Sequence, residues 1–164
     1  MKITKKSLIY DISNMAYVVA DFDPANHSLH RVRDICQDGN IDRVARVLGL
    51  CYSKVISLLF PVLQPPRCDE NRDCLAEPHD FEFIFRKEGS LRFLLTKEIK
   101  LNIRETIREY MVTSVLADWL GITLPEAADV WKFKAETAFS SLQEIIAEVS
   151  YKGQGGFRRR VPPM

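Results

Sequence analysis

Long apolar runs are missing from this chain of 164 residues. No stretch approaches the roughly 20 consecutive apolar residues that cross a bilayer, so no membrane span is expected. The start, Met1-Lys2-Ile3-Thr4-Lys5-Lys6, is basic, but Asp11, Ser13 and Asn14 break the apolar run after it, which a signal-peptide core would keep intact. A soluble protein made in a cytoplasm is the expectation. An excess of charge of one sign is lacking too. With 23 Lys and Arg against 22 Asp and Glu, the formal net charge of +1 gives the body no global field for nucleic acid or an anionic membrane.

Patterned metal ligands and catalytic groups are equally scarce. Cys68, Cys74 and His79 do not form a Cys-x-x-Cys knuckle and lack an evident fourth ligand. The run Asp69-Glu70-Asn71-Arg72-Asp73 begins like a calcium loop, but its sixth place is Cys74 where the turn needs Gly, and Pro78 interrupts its exit. Ser28 lies between His27 and His30 near Asp34, yet residues this close along one helical turn seldom converge as a triad. Glu105 with Arg108 reads as a solvated ion pair, not half of an acid dyad. The expectation is a non-enzymatic protein with no metal, no cofactor and no catalytic residue. Cys36 and Cys51 occupy apolar helical positions and read as small buried hydrophobes. Cys68 and Cys74 have no disulfide-framework spacing.

What is present is ordinary globular material, 46% hydrophobic and 27% charged, long enough for one well-buried core. Leu8, Ile12, Met15 and Val19, with Ile9 and Ala16 beside them, predict a first helix over 4–21. A shorter helix is expected from about Ser28 to Asp38, stopped by Gly39. Asn40 is expected to cap a third helix, with Ile41, Val44, Leu48, Cys51, Val55 and Leu58 inward, ending by Pro61. Residues 64–80 read as a loop. Phe81 to Arg86 and Leu91 to Leu95 around Gly89 read as one small β-hairpin over 81–95.

The C-terminal half carries the longest pattern. Ile103, Ile107, Met111, Val115 and Trp119 recur every four residues, predicting a helix from about Lys97 to Leu120 ended by Gly121. Thr123-Leu124-Pro125-Glu126 reads as a capping box. The next helix runs to about Tyr151 with Trp131, Ala135, Ala138, Leu142, Ile145 and Val149 inward, closing an αα-hairpin. The fold class is therefore mainly α: a helical bundle with a C-terminal αα-hairpin and one small β-hairpin, a single domain over 1–152.

Residues 153–164 are different. The spacer Gly153-Gln154-Gly155-Gly156 leads into Phe157-Arg158-Arg159-Arg160-Val161-Pro162-Pro163-Met164. Three adjacent guanidiniums suit carboxylates or phosphates, Phe157 and Val161 supply apolar anchors, and Pro162 and Pro163 limit the entropy lost on ordering. The segment reads as an extended partner-binding arm. The basic residues His30, Arg31, Arg33, Arg43, Arg46 and Lys54 are interleaved with Asp34, Asp38 and Asp42, too mixed for a nucleic-acid groove.

Ile107-Arg-Glu-Tyr-Met-Val-Thr-Ser-Val-Leu-Ala-Asp-Trp-Leu120, the Ile122 to Glu126 turn, the Trp131 helix and the closing Arg158-Arg159-Arg160-Val161-Pro162-Pro163 resemble virion neck proteins of tailed bacteriophages and prophages of Bacteroides-type bacteria. The resemblance covers about residues 97–164 and is weaker over 1–63. It implies a head–tail connector: a helical subunit of a homo-oligomeric ring in the virion neck, contacting the portal protein and neighbouring connector or tail subunits, with channel DNA nearby. The alternative is a DNA-binding or DNA-packaging accessory protein using Arg158 to Arg160 on phosphates.

Overall fold

The computed structural model describes residues 1–21, 29–64, 80–86 and 94–154. In chain order they form strand β1 (Lys2–Ile3), helix α1 (Lys5–Asp21), helix α2 (Leu29–Arg33), a 3-10 turn (Asp34–Cys36), helix α3 (Ile41–Leu59), strand β2 (Phe81–Glu82), helix α4 (Lys97–Thr123) and helix α5 (Pro125–Gln154). The fold is mainly α with one small antiparallel β element. The interior of the 64–80 loop and the arm from Gly155 onward lie outside the described residues, as do Cys68, Cys74 and Gly89.

Helix α4 is the axis of the bundle. It packs against α1, α2, α3 and α5. Between Tyr110 and Leu120 its buried residues include Met111, Val112, Thr113, Val115, Leu116, Ala117 and Trp119, more than one stripe can hold, as a helix surrounded by others requires. The one polar side chain buried there, Thr113, sends its hydroxyl back to the Glu109 carbonyl at 2.7 Å. Thr96 caps the helix, its hydroxyl accepting from the Ile99 amide at 3.3 Å.

The αα-hairpin forms with a tighter link than expected. Helix α4 passes through Gly121 and ends at Thr123, leaving only Leu124 between it and α5. The Leu124 amide still bonds the Leu120 carbonyl at 2.8 Å. Thr123 is thus the last residue of α4 and no capping box forms: its hydroxyl donates to the Trp119 carbonyl at 3.0 Å. Pro125 opens α5, where its missing N–H leaves no bond unmade. Tyr110 and Phe139, nearly equidistant in sequence from Leu124, meet with ring centroids 4.9 Å apart, so the two helices run antiparallel.

Elsewhere the helices keep their places and shift their faces. In α1 the buried residues are Leu8, Ile12, Ala16 and Ala20, every fourth position, while Met15 is 41% exposed. In α3 the inward row is Val44, Leu48, Cys51, Val55 and Leu59, with Leu58 half-buried. In α5 Ile146 takes the deep position expected of Ile145. The second helix is shorter than its pattern suggests and tightens into the 3-10 turn at Asp34. Asn40 sits at the start of α3 without capping it; its side-chain amide donates to the Asp34 carbonyl at 2.8 Å and ties the two segments.

The partner of β2 is the N-terminus. Lys2 pairs with Glu82 and Ile3 with Phe81, antiparallel, and Leu63 bridges Phe85. The Met1 ammonium and carbonyl bond the Phe83 carbonyl and amide at 2.7 and 2.8 Å. Of the 91–95 return strand expected from sequence, 91–93 lie outside the described residues, and Leu94 and Leu95 are not in a strand. Asp80 fastens this corner, its carboxylate meeting Lys2 Nζ at 2.8 Å and the Lys5 amide at 3.0 Å, where the first turn of α1 favours a negative group.

Candidate interaction groove

The residues proposed from sequence to hold a partner, Phe157, Arg158, Arg159, Arg160, Val161, Pro162 and Pro163, all lie outside the described residues. Helix α5 carries the chain toward them and ends at Gln154, its last turn holding a Lys152–Glu148 ion pair.

The described residues include an open groove of about 630 Å³, with α4 as floor and α1 and α5 as walls. It exists because α1 and α5 each pack on α4 without closing over the polar strip between them. Asp11 of α1 reaches across to Arg108 of α4, with Arg108 Nε 2.6 Å from Asp11 Oδ2. This replaces the Glu105–Arg108 pairing expected from sequence, and the Asp11 carboxylate holds the Arg108 guanidinium's pKa above its ordinary value. Glu105 instead lies 3.7 Å from Arg104, both largely in solvent. Glu109 has no ion-pair partner among the described residues. The groove's apolar surface comes from Met15, Val112 and Ala138. Asp11, Glu105 and Glu109 against Arg108 leave the lining acidic.

The remaining charged groups are occupied differently. Arg33 pairs with Asp21 and stands over the Tyr17 ring, its guanidinium carbon 5.5 Å from the centroid. Arg43 pairs with Asp118 at 2.7 Å. The interleaved basic residues of α2 and α3 are thus partly neutralised. Among the described residues no group of three His, Cys, Asp or Glu side chains could hold a metal ion, and no helix there is long and apolar enough to cross a membrane.

Behind the groove floor, Tyr110, Ser114 and Cys51 form a buried polar contact between α3 and α4. Burial, and then the neighbouring Cys51, push the Tyr110 phenol up to about 12. A phenol whose folded value is raised contributes stability that is complete below its unfolded value of about 10 and is lost as pH rises through the folded one. In an alkaline titration followed by phenolate absorbance, Tyr110 should ionise late, together with unfolding. Replacing Tyr110 with Phe should delete that late phase; its persistence would exclude Tyr110 as the source. Cys51 is buried as expected, while Cys36 is only half-buried, its thiol 3.7 Å from the Ile9 carbonyl.

No protein-family model matches this chain, and no curated protein or solved structure is significantly similar to it.

Proposed function

We propose that the chain is a non-enzymatic virion structural protein, a head–tail connector subunit that forms a ring in the phage neck between portal and tail. The observation that carries this reading is apolar side chain left in solvent on both flanks of the bundle. Tyr10, Tyr17 and Val18 stand out of α1, and Val130, Phe133 and Tyr151 stand out of α5, with Phe133 70% and Tyr151 82% exposed. Large exposed apolar residues on two sides suit a subunit that meets two neighbours by different faces, which is how heterologous contacts close a ring. The arm of Phe157 to Pro163 adds a short docking segment, and repetition around a ring multiplies a weak hold.

The test is quantitative peptide mass spectrometry on purified phage particles, with and without truncation after Lys152. The intact chain should be present in a fixed copy number comparable to the portal. The truncated chain should melt like the intact one and be missing from particles. Absence of the intact chain from DNA-filled particles would overturn the connector reading. Equal incorporation of the truncated chain would remove the arm from it.

A further inference from the structure

We propose that the acidic groove over α4 seats the Arg158-Arg159-Arg160 arm of a second copy of this chain. The inference rests on reading that segment as a docking arm and goes beyond it by naming the receptor. Glu105 and Glu109 stand four residues apart on the exposed strip of α4, a like-charge spacing that is unfavourable in a helix until a cation lies between them. Arg108 is hydrogen-bonded to Asp11 on α1 and acts on Glu105 only through space, Arg104 lies 3.7 Å from Glu105, and Glu109 has no ion-pair partner among the described residues. Guanidiniums entering from outside would relieve the repulsion and add charge-assisted hydrogen bonds. The same groove offers Met15, exposed on one wall, and the edges of the nearly buried Val112 and Ala138 between floor and opposite wall, a small apolar surface for Phe157 or Val161. Acidic strip and apolar patch thus match the two chemistries that the arm combines.

Reach favours a neighbour's arm over the chain's own. Ser141 on the groove wall lies 13 residues before the end of α5, about 20 Å back along the helix. From Gln154, an extended chain carries Arg158 at most about 14 Å and Arg160 about 20 Å, before any length is used in reversing direction. The chain's own Phe157 and Arg158 fall short of the Ser141 level, and its Arg160 attains it only when fully extended, with nothing left for the reversal. An arm from an adjacent subunit has no such restriction. Head-to-tail seating of this kind is heterologous and propagates around a ring, each groove filled by the next subunit's arm.

The experiment uses the full-length chain carrying R158A, R159A and R160A as receptor, so that its own arm does not compete, and a fluorescein-labelled peptide of residues 153–164 as probe. Fluorescence anisotropy should show saturable binding. Adding Glu105→Gln and Glu109→Gln, both exposed positions, should weaken it about tenfold while leaving the melting temperature in place. In sedimentation the native chain should self-associate with rising concentration, and the triple alanine chain should not. No peptide binding, or binding indifferent to the two glutamates, overturns the proposal. So does a native chain that stays monomeric at its solubility limit while the peptide still binds the receptor, because the arm would then sit on its own body. Particles containing the chain alongside a groove that ignores the peptide would overturn this seat and leave the connector reading standing; the reverse pair of results would do the opposite.

Discussion

Replacing Trp119 with alanine should lower the unfolding free energy by about 3–5 kcal/mol, read as a fall in the urea midpoint at unchanged slope. Trp119 lies at the crossing of α4 with α2, 8% exposed, and its indole N–H donates to the Val32 carbonyl at 3.1 Å. Alanine opens a cavity beside Val32 and leaves that carbonyl without its donor. Domains are stable by only about 5–15 kcal/mol, so this variant should be partly unfolded near physiological temperature. Trp119→Phe separates the two contributions. It keeps an aromatic ring against the core and loses the hydrogen bond, for an expected cost of about 1–3 kcal/mol. A loss below about 1 kcal/mol for Trp119→Ala would mean that α2 is not cooperative with α4.

Helix positions were legible in the sequence because their signal is local: a stripe recurring every three or four residues requires no knowledge of the partner. What covers the stripe is not local. Met15 and Ala16 both fit the period of α1, and only the packing of the neighbouring helices buries Ala16 and leaves Met15 41% exposed. Gly121 looked like a stop, but the helix passes through it to Thr123, whose hydroxyl bonds the Trp119 carbonyl, while Ile122 stays 58% exposed. The strand 81–82 was legible as a strand and its partner was not, because Lys2–Ile3 lies about 80 residues away and is too short to show a period. The groove was invisible for the same reason. Its floor and walls come from three helices, and the ion pair across it joins Asp11 to Arg108 over 97 residues. The segment 153–164 is the converse case: its docking role is proposed from composition alone, and residues 155–164 lie outside the described residues.

Phe83→Ala should cost about 3–5 kcal/mol and should do so globally. Phe83 is fully buried, and its backbone exchanges two hydrogen bonds with Met1. Its ring meets the edge of Tyr52 on α3 at 5.4 Å, and the Tyr52 hydroxyl donates to the Glu82 carbonyl at 3.0 Å. The side chain thereby ties the N-terminus, β2 and α3 into one corner, next to the Asp80 contacts that start α1. A double-mutant cycle with Tyr52→Ala should return a coupling of about 0.5–1.5 kcal/mol, the range for an aromatic pair beyond its area burial. Hydrogen exchange distinguishes a corner that belongs to the cooperative core from one that opens alone. If the corner belongs to the core, Phe83→Ala accelerates exchange of the Leu116 and Leu120 amides in α4 as much as that of the Lys5 amide. If only Lys5 and its neighbours accelerate while the urea midpoint holds, the β element is a separate unit resting on the bundle, and the bundle's stability comes from α4 and the helices packed around it.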